Sequence, residues 1–283
     1  MKKAVKTRDN LKVFYDYIQR DAKKPVLLYL HGLGGNWTEW TGVSKVVRKK
    51  GYSTLCIDLR GHGRSSTPEE LEYYHLENFA HDIQQILKKE KIKKFAMIGH
   101  SFGGSLAIAY CTEFKNLQPK ALILIQSTYR YPYKKYREMN TNPAIGYILR
   151  GLINKGVIKN KRFDKLKTLD LQKITRENLL FQLFDEIYYT PFKAVLECLD
   201  SAEVYATTKE KKIISTLKSI NFPTLVIAGK KDKVIKFEYA AELHTLIPRS
   251  QLKVFEPGSH QLPLEKPKEL GKEILNFLTG IKF

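Results

Sequence analysis

The stretch Phe95-Ala96-Met97-Ile98-Gly99-His100-Ser101-Phe102-Gly103-Gly104 is flanked upstream by Lys93 and Lys94, and it changes character abruptly in its middle. An apolar run gives way to Gly-His-Ser-Phe-Gly-Gly, and a segment of small and apolar residues, Ser105 to Tyr110, follows without further punctuation. That order predicts strand, tight turn and helix. A serine at the tip of such a turn projects its hydroxyl away from the chain, while Gly99 and Gly103 remove the Cβ atoms that would collide in a strained backbone. A capping serine in an ordinary glycine-rich turn has the same local signature. The two readings part elsewhere in the chain. An exposed nucleophile requires an acid and a histidine at downstream strand ends and a glycine-rich loop upstream.

Upstream, Pro25-Val26-Leu27-Leu28-Tyr29-Leu30 is a continuous apolar run, as expected of a strand covered on both faces, and it ends in His31-Gly32-Leu33-Gly34-Gly35-Asn36. A glycine loop in that place brings backbone N–H groups close to a ligand. Nucleotide binding is excluded in detail. Trp37 stands where the dinucleotide fingerprint needs its third glycine, and the Lys-Ser or Lys-Thr pair of a phosphate loop is absent.

Downstream, strands are expected at Lys120–Gln126, Phe222–Gly229 and Gln251–Phe255. Asp232 follows the second of these within a few residues, and His260 lies in the loop leaving the third. His244, the other histidine after Ser101, falls inside a helical pattern. Functional groups of open parallel sheets gather at the carboxyl ends of strands, which selects Asp232 and His260.

Strands and helices alternate through the first 128 residues. A strand at Leu11–Ile18 near the sheet edge, a helix around Val43–Lys50, a strand beginning at Tyr52 and a helix from Leu76 to Leu87 all fit a parallel sheet covered on both sides. From Tyr129 to Lys212 the rhythm fails, leaving apolar helical stretches, basic clusters and many tyrosines and phenylalanines. This segment reads as a helical insertion. The expected organisation is a core of residues 1–128 and 213–283 with a helical cap at 129–212.

The chain has 283 residues, 43% of them hydrophobic, and a formal net charge of +20 from 49 basic and 29 acidic side chains. No run is long enough to span a bilayer and no signal-type apolar stretch follows the charged first ten residues, so a cytoplasmic location is expected. Cys56, Cys111 and Cys198 are odd in number and set among apolar neighbours, which predicts reduced core residues rather than disulfides. No metal-ligand spacing is present among the histidines, and no cofactor is expected. The lysines are scattered and form no nucleic-acid module, so no nucleic-acid partner is expected; the charge reads as a lysine-rich compositional bias, with weak association with an anionic lipid surface as the alternative.

The elbow around Ser101, the His31-Gly32 loop, Asp58-Leu59-Arg60-Gly61-His62-Gly63-Arg64-Ser65, Gly229-Lys230-Lys231-Asp232 and Gly258-Ser259-His260 together resemble the alpha/beta-hydrolase superfamily. The chain is similar to its serine hydrolases with a helical cap, the esterases and monoacylglycerol lipases. The resemblance implies an α/β fold with a mostly parallel, doubly wound sheet. It assigns Ser101 as nucleophile, His260 as base, Asp232 as the residue orienting that base, and the backbone N–H groups of Leu33 and Phe102 as the oxyanion hole. His31 and His62 are expected to shape loops, His100 to pack under the site, and His75 and His81 to lie on helix surfaces. The implied substrate is a small carboxylic ester with an apolar acyl group. Proline iminopeptidases and carbon–carbon bond hydrolases share these features; the former needs cap carboxylates, for which Glu186 and Glu197 are candidates. Aspartate-dependent dehalogenases and epoxide hydrolases do not fit Ser101. A non-catalytic receptor or scaffold of the same fold is the alternative of a different class.

Overall fold

Val26–Leu30, Phe95–His100, Ala121–Ile125 and Thr224–Gly229 are buried at every position, which only central strands of a doubly covered sheet can be. A computed structural model of the protein describes residues 2–132, 190–281 and 283. Among the described residues the strands are β1 (Lys2–Lys6), β2 (Lys12–Ile18), β3 (Val26–Leu30), β4 (Thr54–Ile57), β5 (Phe95–His100), β6 (Ala121–Ile125), β7 (Thr224–Gly229) and β8 (Ser250–Phe255). They form one sheet in the order β1-β2-β4-β3-β5-β6-β7-β8. Pairing is antiparallel at β1–β2 and β2–β4 and parallel from β4 to β8.

The helices are α1 (Thr41–Arg48), α2 (Leu76–Lys89), α3 (Phe102–Glu113), α4 (Phe192–Thr208), α5 (Glu210–Ser219), α6 (Phe237–Leu246) and α7 (Pro267–Thr279), with a single turn at Leu262–Glu265. Strand alternation divides the core. Leu28, Leu30 and Met97 pack with Ile83 of α2, Leu106 of α3, Leu217 of α5 and Leu243 of α6. Leu27, Tyr29 and Ile98 point the other way, onto Val43 and Val47 of α1 and Ile274 of α7. Each such side chain contributes about 1.5–3 kcal/mol of transfer free energy. The three cysteines are free and buried.

The expected elements are present, with one addition. The charged N-terminus forms β1, which takes the sheet edge and leaves β2 one place in. Lys2 and Lys6 of this short strand face solvent while Val5 is buried against β2, so the edge is both lysine-bearing and short. Residues 212 and 213, where the sequence pattern divides cap from core, both lie within α5. Residues 133–189, most of the expected cap, lie outside the described residues, and with them Tyr133, Tyr136, Tyr147, Phe163, Phe181, Phe184, Tyr188, Tyr189 and Glu186.

The loop after β4 is organised by Arg60, which is 1% exposed. Its Nε and Nη2 donate to Asp82 of α2 at 2.8 and 2.7 Å, and Nη1 donates to Asp9 at 2.7 Å and to the Tyr73 carbonyl at 2.6 Å. Asp58, in the same loop, accepts from the N–H of Trp37 at 2.8 Å and of Arg64 at 3.2 Å, which ties the loops after β3 and β4 together. Burial nevertheless lifts the Asp58 carboxyl to about 6. Arg60→Ala leaves the buried Asp82 carboxylate, and the partly exposed Asp9, without their cation, so it should cost about 3 kcal/mol in urea unfolding; a loss below about 1 kcal/mol would show that this network adds little to stability.

Candidate active site

β5 runs into a backbone conformation that few side chains tolerate. Ser101 has φ 50° and ψ −118°, and α3 begins at the next residue. Three contacts over-determine the turn: Ser101 N–H donates to the Ile125 carbonyl at 2.9 Å, and the N–H groups of Gly104 and Ser105 donate back to the Ser101 carbonyl at 2.9 and 3.2 Å. A Cβ at Gly103 would strike the carbonyl oxygens of Leu30 and His31, and one at Gly99 would strike the backbone of Gly103. Only glycine lets α3 settle this closely on the end of β3.

The structure brings Ser101, Asp232 and His260 together. His260 Nε2 lies 3.0 Å from Ser101 Oγ, and His260 Nδ1 lies 2.8 Å from Asp232 Oδ2. Asp232 reaches this position because its other oxygen, Oδ1, accepts the N–H groups of Val234 at 2.8 Å and Ile235 at 2.9 Å, which leaves Oδ2 aimed at the ring. The two loops are laced by Lys230 N–H to the Phe255 carbonyl at 3.1 Å and Lys231 N–H to the Gly258 carbonyl at 2.9 Å. His244 is exposed on α6 and pairs with Ser250 instead.

Burial pushes the His260 pKa below the ordinary imidazole value, opposed by the hydrogen bond to Asp232 and reinforced by the neighbouring His100. Leu33 and Phe102 line the same cavity as Ser101, and among the described residues neither backbone N–H has an acceptor. The glycine loop after β3 is shaped by Gly34 at φ 80° and by Gly35 N–H to the Gly32 carbonyl at 3.1 Å. Thr190 Oγ1 donates to the Gly34 carbonyl at 2.9 Å, which fastens the start of the α4 region to that loop. His31 accepts the Leu59 N–H at 3.1 Å through Nε2, and burial keeps His31 and His62 neutral, the latter down at about 4. His75 is exposed, and His81 packs its ring edge-on against Phe114.

Two residues here escape a reading of the sequence. Glu39 looks like a solvent-facing residue between two tryptophans, yet it is 2% exposed and pairs with His100 at 3.0 Å. Its only sequence signal is a carboxylate between aromatics directly after a glycine loop. Gln126, at φ 47°, donates from its amide to the Ser259 carbonyl and so props the His260 loop.

The alpha/beta hydrolase fold family model matches residues 25–267. The chain belongs to this family. It is 25% identical over 276 residues to the AB hydrolase superfamily protein YisY of Bacillus subtilis, covering 96% of this chain and 97% of that one. It is 26% identical over 281 residues to the monoacylglycerol lipase ABHD6 of Mus musculus, covering 94% and 79% respectively. Its fold matches that of the esterase EaEST from Exiguobacterium antarcticum with a TM-score of 0.79, over 99% of this chain and 100% of the other, at 20% identity.

In this alpha/beta hydrolase-fold chain a cavity opens beside Ser101, lined by Leu33, Leu76, Ile108, Leu199 and Ile213, with Leu199 and Tyr205 contributed by α4. Arg130 at its rim is held by carboxylates, donating to Glu242 at 2.7 Å and to Glu210 at 2.8 Å. Glu197 lies on α4 outside the cavity lining. The imidazole of His260 should titrate, by ring nitrogen chemical shifts, with a midpoint below about 6.5, the unperturbed value. A midpoint at or above that value would mean that the ring is wetter in solution than the geometry requires.

Proposed function

We propose that the protein is a serine hydrolase that cleaves carboxylic esters carrying an apolar acyl group through an acyl-enzyme. The observation that carries this reading is the continuous chain from Ser101 Oγ to His260 Nε2 at 3.0 Å and from His260 Nδ1 to Asp232 at 2.8 Å, at the floor of an apolar cavity. A serine hydroxyl is too weak an acid to attack unaided, so a neutral imidazole within hydrogen-bond reach is what activates it. His260, held neutral by burial, takes the proton as Ser101 Oγ bonds to the ester carbonyl carbon. Asp232 fixes the ring so that Nε2 is the accepting nitrogen and stabilises the imidazolium once it forms.

The carbonyl oxygen becomes an oxyanion, for which the N–H groups of Leu33 and Phe102 are the donors at hand. Collapse of the tetrahedral species breaks the ester C–O bond, and the proton on His260 passes to the departing alkoxide. Water then repeats the sequence against the acyl-enzyme, releasing acid and restoring Ser101. The apolar walls formed by Leu76, Ile108, Leu199 and Ile213 suit a hydrocarbon acyl chain better than a charged group. The naming of one relative as a monoacylglycerol lipase and of a structural neighbour as an esterase points the same way.

A fluorophosphonate probe should label the folded protein, and Ser101→Ala should abolish the labelling; unlabelled wild type would sink the hydrolase reading and favour a binding role. Asp232→Asn should keep the fold and lower kcat by about 10⁴, as the equivalent change does in a serine protease. A series of nitrophenyl esters of increasing chain length, run beside a proline arylamide, should show turnover of the esters. Preference for the arylamide would move the assignment to an iminopeptidase.

A further inference from the structure

Beneath the Ser101 turn lies a buried acid–base pair for which the proposed reaction has no direct use. Glu39 and His100 are each 2% exposed. One carboxylate oxygen, Glu39 Oε2, accepts the Gly32 N–H at 3.1 Å; the other, Oε1, faces His100 Nδ1 at 3.0 Å. His100 Nε2 faces the His260 carbonyl at 2.8 Å. The pair therefore touches the residue before the oxyanion donor Leu33, the residue before the nucleophile, and the backbone of the base. We propose that Glu39 and His100 form a buried carboxylate–imidazolium strut that positions the oxyanion loop and the His260 loop against Ser101.

The charge state follows from the partners. A neutral imidazole offers one donor and one acceptor nitrogen, but both nitrogens of His100 meet oxygens, one in a carboxyl group and one in a carbonyl that can only accept. Either His100 carries both protons, or Glu39 carries one and donates it to Nδ1. The ordinary proton affinities of imidazole and carboxylate favour the first, and the Gly32 N–H stabilises the ionised carboxylate. Burial by itself would discharge His100; the Glu39 charge and hydrogen bond outweigh it and hold its pKa above the ordinary imidazole value. The groups facing His100 are Glu39, the His260 carbonyl and ring, the Trp40 ring edge and, farther off, Asp232 and His31.

Two consequences follow for the site. Both Glu39 and His100 are positioning residues, since neither touches the cavity: the strut sets where Leu33 N–H and the His260 ring stand. It also places a cation 5.1 Å, ring centre to ring centre, from the His260 ring, whose other facing groups are Ser101, Asp232 and, beyond His100, Glu39. A positive neighbour disfavours a second proton on His260, so the resting base stays neutral to lower pH.

The kinetic consequence rests on the hydrolase reading, but the strut itself can be observed without turnover. In nitrogen-15 spectra of the imidazole rings, His100, assigned by its loss in His100→Gln, should still carry a proton on both nitrogens at pH values above the ordinary imidazole midpoint of about 6.5, where a free ring is neutral. Glu39→Gln can keep all three hydrogen bonds, because the new amide donates to Nδ1 while its oxygen retains the Gly32 N–H; only the charges disappear. In that variant His100 should become a neutral ring protonated at Nε2. The His260 midpoint should rise, because the lost His100 cation acts on that ring more strongly than the lost Glu39 charge, and the acid limb of kcat/KM should rise with it. Glu39→Ala should lower kcat by about 10², the cost of one misplaced oxyanion donor, with a smaller change in KM. If the alanine variant does not fold, the glutamine variant decides alone. A neutral His100 in the wild type, or an unmoved His260 midpoint in Glu39→Gln, overturns the proposal. A doubly protonated His100 in a protein that neither hydrolyses esters nor takes up the fluorophosphonate would instead leave the strut standing and remove the hydrolase reading.

Discussion

The close seating of Gly103 on the end of β3 is the constraint on which the rest of this structure depends. With no side chain at Gly103, α3 can begin directly above the Leu30 and His31 carbonyls, and the chain can turn from strand to helix within the single strained residue Ser101. The strain is held by ordinary interactions: the Ser101 N–H on β6 and the intact first turn of α3. The same approach brings the glycine loop after β3 alongside the serine, because β3 and β5 are hydrogen-bonded neighbours in parallel register from Val26–Phe95 to Leu30–Gly99. One steric condition therefore places both the hydroxyl and the glycine loop beside it.

Two clusters of opposite charge are buried around that turn. Arg60 between Asp9 and Asp82 orders the loop after β4, and Glu39 with His100 spans the loops after β3, β5 and β8. His31 and His62, whose buried rings have no carboxylate partner, are instead driven neutral and serve as hydrogen-bonding spacers. Burial lowers the proton affinity of His100, His31 and His62 alike; the difference lies in whether an opposite charge stands within hydrogen-bond distance. Stabilities of such pairs are asymmetric, since removing one member strands the other in a medium that cannot solvate it. That asymmetry makes these residues effective spacers between loops.

Much of this is legible in the sequence. The central strands announce themselves as unbroken apolar runs such as Val26–Leu30 and Leu225–Ala228, and the strand-end rule picks Asp232 and His260 over His244. The α2 helix follows from its apolar spacing at Ile83, Ile86 and Leu87. β1 was not readable, because a lysine-rich edge strand is held by backbone pairing to β2 and carries almost no side-chain pattern of its own. Glu39 and Gln126 were not readable either. A carboxylate or amide buried by a distant partner has the same letter as one in water, and its partners, His100 and Ser259, stand far away in the chain.

The sequence by itself determined the periodicities, the punctuation and the chemistry available at each strand end, because hydrophobic runs, glycines and turn residues act over a few neighbouring positions. It thus specified a parallel sheet, the tight turn at Ser101 and an aspartate and a histidine at successive strand ends downstream. Only the tertiary structure decided which polar groups would be deprived of water and what would face them there. Dehydration depends on every element that packs around a group, and the ionisation of His100 and the neutrality of His260 are both set by neighbours that the chain brings together only on folding.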